Sequence, residues 1–271
     1  MDIRTALDLA GIGRTDIEVL VAFVLQCDRA YILAHPEKLL TKEQQDQWEQ
    51  FVKRRREGEP VAYIIGQREF YGRVFSVDRR VHIPRPSTEN LVTMTLDFLQ
   101  NPKDEVRELE TGIIGVARVI HKSSIVKTVV DVGTGSGCIA ITLALERPNL
   151  QIIAIDISPE ALEVARNNAQ KYGVESRIRF LCGNLLEPIS LLAEPFVAVS
   201  NPPYLSKVMI AAYPDIHFEP RIALDGGKDG ADVPIMLLQH AEKNPLCVGV
   251  IIECLTQQNV FSSIHRFNRT V

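Results

Sequence analysis

Apolar positions change their period along this 271-residue chain, and each change marks a different kind of element. Over residues 1–65 the period is helical. Ile17, Leu20, Val21, Val24 and Leu25 share one face, with Thr15 or Asp16 placed to cap it. Thr41 followed by Gln44 reads as a capping box, Trp48, Phe51 and Val52 carry that helix on, and Gly58 and Pro60 stop it. Residues 66–86 alternate instead. Phe70–Val77 reads as a strand, Arg80–Ile83 as its partner, and Ile83-Pro84-Arg85-Pro86 as a stiff connector, because two prolines hold the chain extended. Ser87 or Thr88 then caps a helix through Leu91, Leu96 and Phe98. Residues 101–125 are charged and aperiodic, which predicts a linker.

From Ile125 onward short apolar runs alternate with helical stretches. Strands are predicted at 128–132, 151–156, 178–181, 195–200 and 248–253. Helices are predicted over Ile139–Arg147 and from Ser158-Pro159 to Tyr172, with Gly173 as the stop. Such alternation implies a parallel sheet covered by helices on both faces. The expected organisation is a helical bundle over 1–65, a β-hairpin connector over 66–86 and an α/β domain over 87–271. Ligands of such sheets bind beyond the carboxyl ends of the strands. Asp131, Asp156, Asn184 and Asn201 all fall on that rim.

The first turn of the sheet reads Asp131-Val-Gly133-Thr134-Gly135-Ser136-Gly137. Its spacing is neither the Gly-x-Gly-x-x-Gly of dinucleotide sites nor the Gly-Lys-Ser/Thr ending of a P-loop. A glycine turn opened by an acid and lacking lysine suits a ligand with a cationic head and no phosphates, and S-adenosylmethionine fits that description. Asp156 lies 25 residues after Asp131, close to the spacing at which an acid meets ribose hydroxyls; the competing role is a helix cap. Asn184 and Leu185 would flank adenine, unless Asn184 only serves the turn after Gly183.

Asn201-Pro202-Pro203-Tyr204 follows the fourth of these strands. A planar NH2 group needs two in-plane acceptors, which the Asn201 side-chain oxygen and the Pro202 carbonyl can supply. Tyr204 can stack on that plane and exclude water. Pinning both hydrogens turns the nitrogen lone pair toward an incoming methyl group, so positioning is the main contribution. Asn201, Pro202 and Tyr204 are therefore the candidate catalytic residues, and Asn201–Tyr204 together the candidate substrate grip.

Composition narrows the partners. A net charge of −4 argues against a broad nucleic-acid surface. The basic run Lys53–Arg56 is read as a solvated helix end. Five scattered cysteines without a Cys-x-x-Cys pair point to free thiols in a reducing compartment, and the six histidines show no metal-ligand spacing. The start of the chain has no apolar core of a signal peptide, and no apolar run is long enough to span a bilayer. A cytoplasmic monomer without a metal is expected.

Several stretches carry a family resemblance. They are Gly58–Tyr63, Gly66 with Glu69–Gly72, Ile83–Pro86, Asp131–Gly137, Asn201–Tyr204 and Phe218–Gly230, and together they span most of residues 15–240. The chain resembles the bacterial release-factor glutamine methyltransferases, the HemK/PrmC family. The resemblance implies a Rossmann-like class I S-adenosylmethionine-dependent methyltransferase domain behind a small N-terminal helical domain that positions the substrate. It implies methyl transfer to the side-chain amide of the glutamine in the Gly-Gly-Gln loop of peptide chain release factors. It also implies that Gly133–Gly137, Asp156 and the position after Gly183, here Asn184 with Leu185, hold the cofactor, and that Asn201–Tyr204 hold the glutamine. Two other readings of the same motifs are an amino-group methylase of DNA or RNA and a cofactor-binding homologue that has lost transfer. The chain departs from the family pattern at Ser87 and Asn184, where acids are usual, and in its C-terminal part. There Glu253-Cys254-Leu255 replaces Glu-Ile-Gly and Val271 follows soon after, so the sheet is expected to lack its last strands, with the fifth strand exposed.

Overall fold

The computed structural model describes residues 1–8, 11–102, 106–111, 114–120, 126–213 and 216–255. It divides into two units, Met1–Gln67 with Pro214–Phe218, and the remainder of the chain.

The first unit is helical. It contains α1 (Ile3–Leu7), α2 (Arg14–Leu25), α3 (Arg29–Ala34), α4 (Lys42–Arg56) and α5 (Val61–Ile65). Ile17, Leu20, Val21 and Val24 of α2 meet Trp48, Phe51 and Val52 of α4 in one apolar cluster. The Thr41–Gln44 capping box forms in both directions. The cap of α2 does not: Gly13 occupies that place, and Asp16 lies in the first turn. The basic run is also not simply solvated. Arg54 makes a bidentate bond to Glu59 (2.7 and 3.0 Å) and donates to the Tyr63 and Ile64 carbonyls at the end of α5. Arg55 pairs with Asp16 at 2.7 Å. Those arginines tie helices together as well as complementing a dipole.

The second unit begins within a hairpin, β1 (Gln67–Phe70) and β2 (Arg73–Ser76). Tyr71 (φ 51°) and Gly72 (φ 70°) form its turn, so the predicted Phe70–Val77 strand is interrupted by the turn. Arg80–Ile83 is not a strand. Asp78 bends that stretch, accepting from the Arg80 backbone and guanidinium. After a 3-10 turn at Pro86–Thr88 comes α6 (Glu89–Gln100).

The supposed linker contains two strands, β3 (Val106–Thr111) and β4 (Ile114–Ile120). They belong to a seven-stranded sheet with β5 (Thr128–Val132), β6 (Gln151–Asp156), β7 (Ile178–Cys182), β8 (Phe196–Ser200) and β9 (Cys247–Leu255). Its order is β3-β4-β9-β8-β5-β6-β7. The strands β5 to β9 are mutually parallel, while β4 runs antiparallel to both β3 and β9. The expectation of an exposed fifth strand is thus overturned. All nine residues of β9 are buried, and β4, supplied from earlier in the chain, pairs along its outer edge. Residues 256–271 lie outside the described set.

The crossover helices are α7 (Cys138–Glu146), α8 (Pro159–Lys171), α9 (Lys207–Ala212) and α10 (Asp232–Lys243). Ser158 caps α8 through Ala161 N, with Pro159 in the first turn. Two apolar clusters lie on the sheet. One gathers Val129, Ile141, Leu143 and Phe98, the other Val130, Ile155, Leu237 and Ile252. Adjacent residues of one strand supply opposite clusters, as the period of two requires.

Candidate active site at the strand carboxyl ends

The chain leaves β5 toward β6 on one side, while β8 lies on the other. A sheet that reverses its direction of winding between two neighbouring strands opens a crevice at that point. The glycine turn follows β5 and Asn201–Tyr204 follows β8, so the two motifs flank it. The Ser200 hydroxyl donates to Val132 O at 2.7 Å and locks these two strand ends together.

The turn is built from its own backbone. Gly133 N and Thr134 N both donate to Ile155 O, at 2.8 and 3.0 Å. Gly133 (φ 72°) and Gly135 (φ 54°) have left-handed backbones, and a Cβ built on either meets nothing within 4 Å. That side of the turn is open, as an approaching ligand requires. Gly137 has a different reason. A Cβ there would lie 2.8 Å from Ile141 Cδ1 and 3.2 Å from Ala165 Cβ, so it lets α7 and α8 pack. Thr134 and Ser136 are buried.

Asp131 does not face the crevice. It is fully buried, and its Oδ2 accepts from the Thr134 hydroxyl (2.7 Å) and Ala140 N (3.1 Å). Burial pushes its carboxyl up to about 7, against the pull of those two donors. The acid that opens the motif holds the turn from beneath and does not meet a cationic head directly. Asp156 is half-buried and accepts from Gly135 N and Ser158 N, both at 2.9 Å. Burial raises its carboxyl above the usual range. Each oxygen keeps lone-pair capacity for a further donor. Asn184 donates its amide to Glu187 Oε1 at 3.1 Å, which leaves its oxygen to accept. Leu185 takes a left-handed backbone (φ 48°) beside it and is buried.

Asn201 is half-buried and donates its Nδ2 to the Thr88 hydroxyl oxygen at 2.9 Å. Pro202 is buried and Pro203 half-buried. Tyr204 is buried, and its hydroxyl donates to Glu253 Oε1 at 2.7 Å. Burial, then the neighbouring Glu253 charge, drives the phenol pKa upward, so Tyr204 stays protonated and is no base.

Leu205, Leu224 and Gly226 brace this loop. Leu205 N donates to Leu224 O, and Gly226 N to Leu205 O. Gly226 is required by contact: a Cβ there would stand 2.5 Å from Gly230 O and 2.7 Å from Pro203 O. Glu219 joins two of the motifs. It accepts from Ile83 N at 3.0 Å, lies 2.6 Å from His82 Nδ1, and pairs with Arg85. Burial raises its carboxyl, but His82 and Arg85 outweigh that and hold it below the usual range.

Sequence reasoning missed Asn168. It is fully buried in α8, donates to Ser76 O (3.0 Å) and Ser136 O (2.9 Å), and accepts from Ser76 N (2.8 Å). It therefore moors the glycine turn to the β1–β2 hairpin. The only signal was an asparagine inside a helical pattern, where asparagine has poor propensity. Thr88 and Glu253 were also missed as site residues.

Residues 2–66 match the PrmC N-terminal domain family, and residues 124–201 match a methyltransferase domain family. A release factor glutamine methyltransferase of Koribacter versatilis is 40% identical over 225 residues, covering 81% of this chain and 71% of the relative. The chain belongs to the release factor glutamine methyltransferase family. Relatives of the same name from Aliivibrio fischeri and Bacillus subtilis are 34% and 37% identical, over 85% and 84% of this chain and 73% and 76% of theirs. The family's cofactor is S-adenosylmethionine, and the open glycine face, the carboxylate of Asp156 and the free oxygen of Asn184 fit it. Among the described residues no helix is long and apolar enough to cross a membrane, and no group of side chains could hold a metal ion.

Proposed function

We propose that this protein methylates the side-chain amide nitrogen of the glutamine in the Gly-Gly-Gln motif of peptide chain release factors. The carrying observation is the pairing of an open glycine turn with Asn201–Tyr204 across one switch point of the sheet. S-adenosylmethionine, when bound, supplies an electrophilic methyl group on a sulfonium sulfur. Gly133–Gly137 offer it backbone, Asp156 accepts ribose hydroxyls, and Asn184 with Leu185 flank the adenine.

The Asn201 oxygen and the Pro202 carbonyl take the two N–H groups of the substrate carboxamide. An amide nitrogen is a weak nucleophile because its lone pair is delocalised. Holding both hydrogens in plane keeps the lone pair directed across the crevice, and orientation supplies most of the rate. The nitrogen becomes acidic as the new N–C bond forms, so its proton can pass to water and no side-chain base is required. Buried Tyr204 keeps water from the face of the amide. The helical unit, residues 1–65, serves to position the release factor. With a net charge of −4, the protein acts without a nucleic-acid surface, as a monomer, in the cytoplasm where its substrate works.

The test is incubation with methyl-labelled S-adenosylmethionine and either a release factor or bare nucleic acid. Label on the Gly-Gly-Gln glutamine supports the reading. Label on nucleic acid alone, or cofactor binding without transfer, refutes it.

A further inference from the structure

A side-chain amide offers either its oxygen or its NH2 to a partner, depending on which way it is turned. The grip proposed above works only with the oxygen of Asn201 facing the substrate, since an NH2 there would meet two further N–H donors. Something must therefore hold the amide in one of its two orientations.

Three observations converge on Thr88. It occupies the N-cap position of α6, where a threonine ordinarily accepts from the backbone of its own helix, yet no such bond is made. Its hydroxyl oxygen receives Asn201 Nδ2 instead, at 2.9 Å, and Thr88 itself is buried. Glu253 is fully buried at the carboxyl end of β9 and gathers hydroxyls: Tyr204 donates to its Oε1 at 2.7 Å and Ser87 at 3.5 Å; burial raises its carboxyl above the usual range, and the hydroxyls of Tyr204, Thr88 and Ser87 pull the other way. Among the described residues, Glu253 Oε2 has no hydrogen-bond partner.

A hydroxyl has a single proton. Where that proton faces an accepting carboxyl oxygen, the hydroxyl can only accept from a third group. We propose that Thr88 is a positioning residue for methyl transfer: with its proton turned to Glu253, its oxygen accepts only the NH2 of Asn201, which fixes the Asn201 oxygen toward the substrate amide. Glu253 thus holds both sides of the grip, Tyr204 directly and Asn201 through Thr88.

The inference rests on the glutamine-grip reading, and two measurements separate their failures. The first needs no substrate. In wild-type protein the two side-chain amide protons of Asn201 should give well-separated NMR signals, with the bonded one exchanging several-fold more slowly. Thr88→Ser should keep this signature and Thr88→Val should lose it. The second is steady-state transfer to a release factor. Thr88→Val should lower kcat about tenfold or more with KM for S-adenosylmethionine nearly unchanged, as expected for lost orientation. Thr88→Ser should restore most of it. Added to Asn201→Ala, Thr88→Val should cost nothing further, because it acts through the missing side chain. An Asn201 signature indifferent to Thr88→Val overturns the proposal, as does a kcat within twofold of wild type or a full loss on top of Asn201→Ala. A wild-type protein that transfers no methyl to release factor refutes the functional reading instead, and the NMR result still decides the role of Thr88.

Discussion

Replacing Asn168 by alanine should loosen the cofactor site from a distance. Its amide makes three hydrogen bonds, two to Ser76 and one to Ser136 O. Ser76 is exposed, so its N–H and C=O can turn to water, and each loss costs about 1 kcal/mol. Ser136 is buried at 2% exposure, and its stranded carbonyl costs about 2 kcal/mol more. The expected destabilisation of the second unit is therefore about 4 kcal/mol, a large part of an ordinary domain's stability. Affinity for S-adenosylhomocysteine should fall about tenfold, because the turn loses its mooring. Tryptophan fluorescence is the wrong probe, since the single tryptophan, Trp48, reports the helical unit. Urea unfolding followed by amide hydrogen exchange within β5 and α7, with calorimetric titration of the product, reads both effects. Asn168→Asp keeps the acceptor but has no donors when ionised, so at neutral pH it should do no better than alanine. A loss under about 1 kcal/mol with unchanged affinity would show that the mooring is idle.

Three further outcomes follow from the same geometry. Asp131 titrates near 7 in the fold and near 3.9 in an unfolded chain, so the folded state keeps a proton that the unfolded one sheds. Its contribution to stability is full below about pH 4 and declines as pH rises to about 7; relative to wild type, Asp131→Asn should gain on the order of 3 kcal/mol across that window, and equal denaturant midpoints at pH 4.5 and 7.5 would exclude this. Gly226→Ala should push Pro203 and cut methyl transfer at least tenfold, while cofactor affinity measured by calorimetry stays within about threefold. Asn201→Ala should lower turnover about 100-fold with cofactor affinity near normal; unchanged turnover removes it from the reaction.

Much of this architecture is legible in the order of residues, for identifiable reasons. β6 falls where its apolar run predicts, and β5, β7, β8 and β9 lie within two residues of expectation at each end, because buried parallel strands are continuous apolar runs bounded by turns. The hairpin misled because Tyr71-Gly72 interrupts an otherwise regular alternation without an Asn-Gly or Asp-Gly signal. Residues 106–120 read as a linker because Arg107, Glu108 and Glu110 dilute the apolar pattern, a composition suited to an edge strand. Asp131 was placed on the right rim but facing the wrong way, since position along a strand does not say that Thr134 and Ala140 will claim the carboxylate. Asn168, Thr88 and Glu253 were invisible as site residues. Their roles depend on partners between 32 and 166 positions away, and no local pattern encodes such a distance.

The place of β9 has a consequence for the newborn polypeptide. It is the last described strand in order of synthesis, yet its seat is interior, between β8 and β4. Until it emerges from the ribosome, those two flanks must wait unzipped, and an open strand border invites foreign pairing. Its arrival fills the gap and, in the same movement, delivers Glu253 beneath Tyr204. Completion of the proposed grip and closure of the sheet are thereby made a single event.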